Sequence, residues 1–171
     1  MKNISNRHWC GLAGLLAALG IAACDPQAIK ELEEGVSTEA DVVQRFGQPE
    51  RVWPEAGGAR TFEYNRQPEG LRNYMITIGP DGRMSALRQV LTPDNFRRVQ
   101  PGMGVEDVRR MLGKPAKQVP YKLQNEIVWS WKFLEPPSEK KAFNVVFGND
   151  YRVIRTEVGP DPDGPDMRGG G

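Results

Sequence analysis

Histidine and cysteine are almost absent from this chain of 171 residues, which has one His and two Cys. His8 and Cys10 fall in a leader-like segment, so the remainder has no histidine and a single cysteine, Cys24. Such a remainder cannot build a Cys/His zinc site, a Ser-His-Asp triad, a histidine general base or a disulfide. An enzyme would have to rely on carboxylates alone, and no motif pairs them. The sequence therefore predicts a protein that is not an enzyme, with no catalytic residues, no metal and no cofactor.

A charge excess of either sign is missing as well, because 23 Lys+Arg stand against 22 Asp+Glu. The net charge of +1 becomes −1 if Lys2 and Arg7 leave with the leader. A near-neutral chain is atypical of a nucleic-acid-binding protein. The segment Gly79-Pro80-Asp81-Gly82 is a turn rather than a phosphate loop, because no Lys-Ser/Thr follows it. We therefore expect neither nucleic acid nor a small-molecule substrate as a partner.

An apolar run long enough to span a membrane is also lacking, since residues 11–23 number thirteen and a span needs about 20. With a basic start and no acid before Asp25, this run is typical of a secretory signal. It ends Ile21-Ala22-Ala23-Cys24, which resembles a bacterial lipobox. We predict a lipoprotein signal peptide at residues 1–23 and a lipidated N-terminus with a linker at residues 24–27. A plain signal peptide followed by an accidental cysteine is the alternative.

The lipobox resemblance implies that Cys24 carries a diacylglycerol and an N-acyl lipid such as palmitate. Stable anchoring needs more than one acyl chain, and a lipoprotein of this type carries three. The expected location is the cell envelope, facing the periplasm, with the outer membrane favoured. Asp25 leaves the inner membrane open, because an acid directly after the cysteine retains some enteric lipoproteins there.

The chain after the leader repeats itself once, with segments that share order, spacing and residue class. The matched segments are EADVVQRFGQP (39–49) with VEDVRRMLGKP (105–115), FEY (62–64) with WSW (129–131), and YMITIGPD (74–81) with FNVVFGND (143–150). The offset grows from 66 to 69, as expected if small insertions lie in loops. We predict two tandem units, residues 28–91 and residues 92–158.

Each unit has the pattern α-α-β-β-β. Apolar stripes ended by glycine predict two short helices, and runs of period 2 predict three strands. The strands are expected at residues 60–66, 73–78 and 83–90, and again at residues 127–134, 142–147 and 152–158. The fold class is therefore α+β, with the helices of each unit packed on one face of a small antiparallel sheet. Residues 159–171 are rich in Gly, Pro and Asp and are predicted to be a disordered tail.

Alternation in the second unit separates a core face of the sheet from an open face. Trp129, Trp131 and Phe133 share one side of their strand, which favours core packing over ligand stacking. Lys132 and Asn144 point the other way, toward solvent or a partner. We predict that these two polar residues contact a protein partner.

Two further aromatic residues, Trp53 and Tyr121, lie just past the prolines that follow a helix, in loops or edge strands. We predict that they are exposed contacts for a partner, and the alternative is that they cap the core. The arginine pairs at residues 97–98 and 109–110 are interpreted as helix surface. Their alternative is contact with lipid headgroups or an acidic partner.

Three motifs together resemble the BamE (SmpA/OmlA) family of outer-membrane-assembly lipoproteins. They are Gly102-Met103-Gly104, then Leu112-Gly113-Lys114-Pro115, then Trp129-Ser130-Trp131. The resemblance implies a lipid-anchored accessory factor in outer membrane protein assembly or envelope integrity, with the barrel-assembly machinery as a partner. The family's assembly factor has one such unit, whereas this chain has two in tandem.

The tandem arrangement is also similar to the beta-lactamase-inhibitory protein family, whose members bind enzymes with a joined concave sheet. That resemblance implies a periplasmic enzyme-binding or inhibitor protein that acts through its joined sheet face. Members of that family carry a disulfide in each unit, and this chain cannot form one. Enzyme binding is therefore the alternative function.

Overall fold

The computed structural model describes residues 25–161. Its helices come in two pairs, which are α1 (Asp25–Lys30) with α2 (Glu39–Phe46), and α3 (Pro93–Arg97) with α4 (Val105–Leu112). A sheet follows each pair, with its strands hydrogen-bonded in chain order. The first sheet contains β1 (Arg51–Pro54), β2 (Arg60–Asn65), β3 (Asn73–Ile78) and β4 (Met84–Gln89). The second contains β5 (Lys117–Tyr121), β6 (Glu126–Glu135), β7 (Glu139–Phe147) and β8 (Val153–Pro160).

The predicted α+β class and tandem plan are confirmed, but each sheet has four antiparallel strands where the sequence predicted three. The additional strands are β1 and β5, which lie at the sheet edges. They span four and five residues and carry Pro54 and Pro120. So short a run shows little alternation, and proline is confined to edge strands because it cannot donate to a central ladder.

The second helix of each pair begins and ends in the same way. The carboxylates of Asp41 and Asp107 each accept the N–H of the residue that caps the helix, at 2.8 and 3.1 Å. Gly47 and Gly113 end the two helices at φ of 83° and 76°. Glycine adopts this left-handed backbone without a Cβ clash, so both helices stop where the sequence predicted.

An aromatic side chain on the second strand of each sheet holds the end of that helix. Tyr64 Oη donates a hydrogen bond to the carbonyl of Gly47 at 3.0 Å. Trp131 Nε1 donates to the carbonyl of Gly113, also at 3.0 Å. The two units therefore repeat the same local structure, even where the aromatic residue differs.

Each pair of helices buries its apolar stripe against one face of the sheet that follows it. The first core includes Val42, Phe46, Tyr64, Tyr74, Ile76 and Ile78. The second core includes Phe96, Val108, Leu112, Trp131, Phe143, Val145 and Phe147, together with Leu91. Leu91, which the sequence placed at the end of the first unit, thus packs in the second core. The exact unit boundaries stay a prediction.

The second helix pair lies between the two sheets. Val108 and Leu112 of α4 pack in the second core, while the Leu112 carbonyl accepts a hydrogen bond from Asn73 Nδ2 of β3 at 2.8 Å. Asn73 lies on the face of the first sheet opposite the first core. The layers therefore run helices, first sheet, helices, second sheet. Within residues 25–161, no helix is both long and apolar enough to cross a membrane.

Candidate functional site

Within residues 25–161, no helix lies over the outer face of the second sheet, the face opposite its core. We call this surface the open face. It forms a groove of about 440 Å³ that takes residues from all four strands. Cross-strand register places one polar row along it, formed by Lys117, Ser130, Asn144 and Glu157. A basic residue thus stands at one edge of the row and an acidic residue at the other.

Apolar and charged groups flank this polar row. Val119 lies opposite Val128, and Tyr121 lies opposite Glu126. Arg155 binds Glu126 through two hydrogen bonds of 2.7 and 3.0 Å. These bonds hold the pKa of the Glu126 carboxyl below its usual value. The groove therefore offers an exposed aromatic ring, fixed charges of both signs and neutral hydrogen-bonding groups.

Two of the predicted contact residues lie in this groove. Tyr121 on β5 has 48% of its surface exposed, so the exposure predicted for it is confirmed. Asn144 on β7 is half-buried in the floor, between Ser130 and Glu157. The structure brings these two side chains to one surface, and their contact with a partner stays a prediction.

Lys132 is less accessible than the sequence predicted. Its side chain is 14% exposed, and its Nζ lies 4.0 Å from Asp161 Oδ1. Its backbone N–H donates to Gln67 Oε1 at 3.0 Å, and its carbonyl accepts from Gln67 Nε2 at 2.8 Å. β6 extends past the end of β5, and the loop after β2 forms hydrogen bonds with this unpaired part of the β6 edge. The alternation of polar and apolar residues indicated the correct sheet face for Lys132. It could not show that Asp161 and Gln67 lie against this residue.

The exposure predicted for Trp53 is wrong, because its surface is only 7% exposed. Trp53 Nε1 donates to Glu63 Oε2 at 3.0 Å. The guanidinium groups of Arg51 and Arg110 lie over the ring, at 4.3 and 5.0 Å from its centroid. Trp53 therefore belongs to the interface between the first sheet and α4. It caps that interface and not a core.

Sequence reasoning missed the charged cluster at the centre of this interface. Glu63 is fully buried on β2. Its Oε1 accepts from Arg109 Nη2 at 3.1 Å, from the Lys114 N–H at 3.0 Å and from Asn65 Nδ2 at 2.8 Å. The only sequence signal was an acidic residue inside an aromatic strand. Its cation lies 46 residues further along the chain, so no local pattern could pair the two.

The joined sheet face that the sequence predicted does not exist in this arrangement. The outer face of the first sheet carries Trp53, Glu63 and Asn73, and α4 with the following loop covers it. The physical reason is that the buried polar groups on this face need partners, and the second unit supplies them. Among residues 25–161, the outer face of the second sheet is the one that stays open.

The described residues offer noncovalent binding groups at this face. Among residues 25–161, no three His, Cys, Asp or Glu side chains are grouped to hold a metal ion. Cys24, the predicted lipid anchor, and most of the predicted tail, residues 162–171, lie outside the described residues. Fold and site together define a tandem α+β protein with one open sheet face.

Comparison with known proteins does not assign the chain to a family. No protein-family model matches it, so the resemblance to the BamE family stays a prediction. No curated protein matches it either.

Two solved structures show a distant likeness. A DUF4309 family protein (YjgB) from Bacillus subtilis is 22% identical with a TM-score of 0.32, over 80% of this chain and 86% of that chain. A "putative beta-lactamase inhibitor protein" from Streptococcus mutans is 11% identical with a TM-score of 0.34, over 78% of this chain and 93% of that chain. TM-scores this low assign neither a fold family nor a function.

Proposed function

We propose that this chain is a lipid-anchored interaction module of the bacterial cell envelope, and that it binds a protein partner on the open face. The observation that carries the proposal is the contrast between the two sheets. The outer face of the first sheet is buried under α4, whereas the equivalent face of the second forms a groove of about 440 Å³. Tyr121 stands in that groove with half of its surface exposed.

The composition of the groove favours a protein partner over a small molecule. Small-molecule sites are mostly apolar and enclose their ligand. This groove instead runs across four strands and mixes valine side chains, Tyr121, a polar row and the ion pair between Glu126 and Arg155. Protein interfaces combine aromatic anchors with such polar surroundings.

The finer parts of the proposal come from the sequence. The lipobox supports an anchor of diacylglycerol and an N-acyl chain on Cys24, which would hold the protein on the periplasmic side of a membrane, the outer membrane being favoured. The resemblance to the BamE family supports an accessory role in outer membrane protein assembly or envelope integrity. The barrel-assembly machinery is the partner that this role requires.

Site-specific crosslinking in living cells tests the proposal. A photoreactive amino acid is placed at Tyr121 in the open face. The matched control is the same substitution at Tyr151, which is 57% exposed but lies in the turn between β7 and β8. We expect a discrete crosslinked protein from position 121 and none from position 151. Equal labelling from both positions, or none from position 121, would contradict binding on the open face.

The identity of the crosslinked protein decides between the two roles. A component of the barrel-assembly machinery supports the assembly role. A periplasmic enzyme supports the alternative, an enzyme-binding or inhibitor protein, and the groove in the second sheet favours this alternative because it can receive a protruding loop. Binding to that enzyme would then use the second sheet alone.

A further inference from the structure

A second cavity lies between the first sheet and the helices of the second unit. It measures about 190 Å³ and is lined by residues from both units. Three arginines surround it, Arg88, Arg98 and Arg110, and we call it the arginine cleft. The cleft is separate from the open face, so the proposed protein partner does not account for it.

Each arginine reaches the cleft from a different element. Arg88 on β4 lies opposite Met75, on the outer face of the first sheet. Arg98 directly follows α3, and its Nη1 donates to Asn95 Oδ1 at 3.2 Å. Arg110 on α4 lies over the ring of Trp53. The cleft therefore exists only because the two units are stacked.

The positive charge of the cleft is incompletely neutralised. Glu55 is its single acidic residue, and its Oε2 lies 3.7 Å from Arg110 Nη1. Among the described residues, neither Arg88 nor Arg98 has a carboxylate within salt-bridge distance. Three guanidinium groups against one carboxylate leave a net charge of +2 in the lining.

Neutral hydroxyl groups complete the lining. Thr61 and Thr77 are paired across β2 and β3, and their Oγ1 atoms lie 3.1 Å apart. One of these two hydroxyls donates to the other, and the second proton is available to a ligand oxygen. Guanidinium groups bind oxyanions through paired N–H donors, and hydroxyls add single ones. This set of donors suits a tetrahedral oxyanion with several acceptor oxygens.

We propose that the arginine cleft binds a phosphate group, either as free phosphate or as the phosphate of a lipid headgroup. A phosphate brings negative charge and several acceptor oxygens to a lining that is rich in donors and carries +2. The bound group would contact β4, the residue that follows α3, and α4 at once, so it would stabilise the stacking of the two units. The site does not depend on the open face or on its partner.

Titration of the full chain, purified in a neutral detergent, tests the site. Inorganic phosphate is added at constant ionic strength, and binding is followed by calorimetry and by the melting temperature. The test variants are Arg88→Gln and Arg98→Gln. The matched control is Arg97→Gln, which removes the same charge from a neighbouring exposed position that lies outside the cleft.

We expect each test variant to weaken phosphate binding by about tenfold, because it removes one charge-assisted hydrogen bond to the bound phosphate from a solvent-exposed arginine. Arg97→Gln should bind like the original chain. The three substituted residues, Arg88, Arg97 and Arg98, are exposed, so the melting temperature of each variant without phosphate should equal that of the original chain. Equal weakening by all three substitutions would show general charge attraction and overturn the site.

A lipid arm separates the two sources of phosphate. The same variants are titrated with detergent micelles that contain phosphatidylglycerol, and with micelles that contain phosphatidylcholine. Preference for phosphatidylglycerol over inorganic phosphate, lost in Arg88→Gln and Arg98→Gln, identifies a lipid headgroup. Tighter binding of inorganic phosphate identifies the free ion. If neither binds, or if binding survives both cleft substitutions, the proposal is wrong.

Discussion

At the scale of single residues, Glu63 shows how the two units are joined. A fully buried carboxylate is costly unless hydrogen bonds and a nearby cation compensate for its lost hydration. Trp53, Asn65, Arg109 and the Lys114 N–H provide these bonds. Two of these four groups, Arg109 and the Lys114 N–H, belong to the second unit, so the cluster depends on the stacking.

Removal of the Arg109 cation should therefore destabilise the fold. We expect Arg109→Ala to lower the free energy of unfolding by about 2 kcal/mol, below the 3–5 kcal/mol typical of a fully buried pair, because the arginine side chain is 24% exposed. Urea unfolding at pH 7 measures this. The control is Arg45→Ala, which breaks an exposed pair with Glu31 and should cost less than about 1 kcal/mol. Equal losses would show that Glu63 does not need its cation.

The predicted anchor depends on a single sulfur atom, that of Cys24. We expect Cys24→Ala to leave the chain with its signal peptide uncleaved by the lipoprotein peptidase and to abolish incorporation of labelled palmitate. Mass spectrometry of the N-terminus and metabolic labelling measure the two effects. Cys10→Ala serves as the control, since this residue lies inside the predicted signal. Labelling that persists without Cys24 would refute the anchor.

At the scale of the elements, both units have the same hydrogen bond from an aromatic side chain to the glycine carbonyl at the end of a helix, formed by Tyr64 in the first unit. Burial raises the pKa of Tyr64 to about 12, above its ordinary value of 10. The unfolded chain therefore loses this proton before the folded chain does. The Tyr64 contribution is fully present below pH 10 and is lost as the pH rises toward 12.

Replacing Tyr64 tests both parts of this argument. We expect Tyr64→Phe to cost about 1 kcal/mol at pH 7, because the bond to the Gly47 carbonyl is lost. The difference in unfolding free energy between the variant and the original chain should shrink between pH 10 and pH 12, because the fold disfavours the ionised form of Tyr64. Urea unfolding over that range measures it, with Tyr121→Phe on the exposed surface as the control. A loss that does not change with pH would contradict the argument.

The N-terminus of α2 should make stability depend on pH at the acidic end. Hydrogen bonds from the backbone and side chain of Thr38 hold the pKa of Asp41 below its ordinary value of 3.8. The contribution is therefore present above pH 3.8 and is lost as the pH falls through the lower value of the folded state. We expect Asp41→Asn to be less stable than the original chain at pH 6, with a smaller difference at pH 2. Thermal unfolding at both pH values measures this, and a difference that grows at pH 2 would contradict it.

At the scale of the whole molecule, the stacking of the units makes them unequal. Without the second unit, the first would expose the Glu63 cluster, Trp53 and the outer face of its sheet. Without the first, the second would keep its core, since its open face is already exposed and α4 presents Arg109 and Arg110 on the side that becomes free. The first unit therefore depends on the second for its stability more than the second depends on the first.

This inequality can be measured with separate units. We expect residues 90–161, which include Leu91, to fold with a cooperative thermal transition, and residues 25–91 to show none. Circular dichroism measures the transitions, and mixing the two pieces should restore a single one at higher temperature. Cooperative folding of residues 25–91 alone would show that the covered face of the first sheet is not needed for stability.

Local patterns were sufficient for most elements and for part of the site. The repeat and the glycines that end α2 and α4 correctly predicted the α+β class, and the alternation of β6 and β7 correctly predicted the face of Asn144. The exposure of Tyr121 was predicted from its position just past a proline. The edge strands were missed because they are short and carry proline. Trp53 and Lys132 were misjudged because residues distant in the chain, Arg110 and Gln67, lie against them.

The sequence by itself determined the class of most elements and the twofold repeat, and it showed that no histidine follows His8. These features depend on neighbours along the chain or on composition. Only the tertiary structure decided which sheet face is open, since similar patterns of alternation in the two units cannot show that α4 covers one sheet and leaves the other free. It also decided that Glu63 is buried and that three distant arginines share a cleft. Such facts depend on how the units stack, and stacking is set by contacts between residues about 50 positions apart.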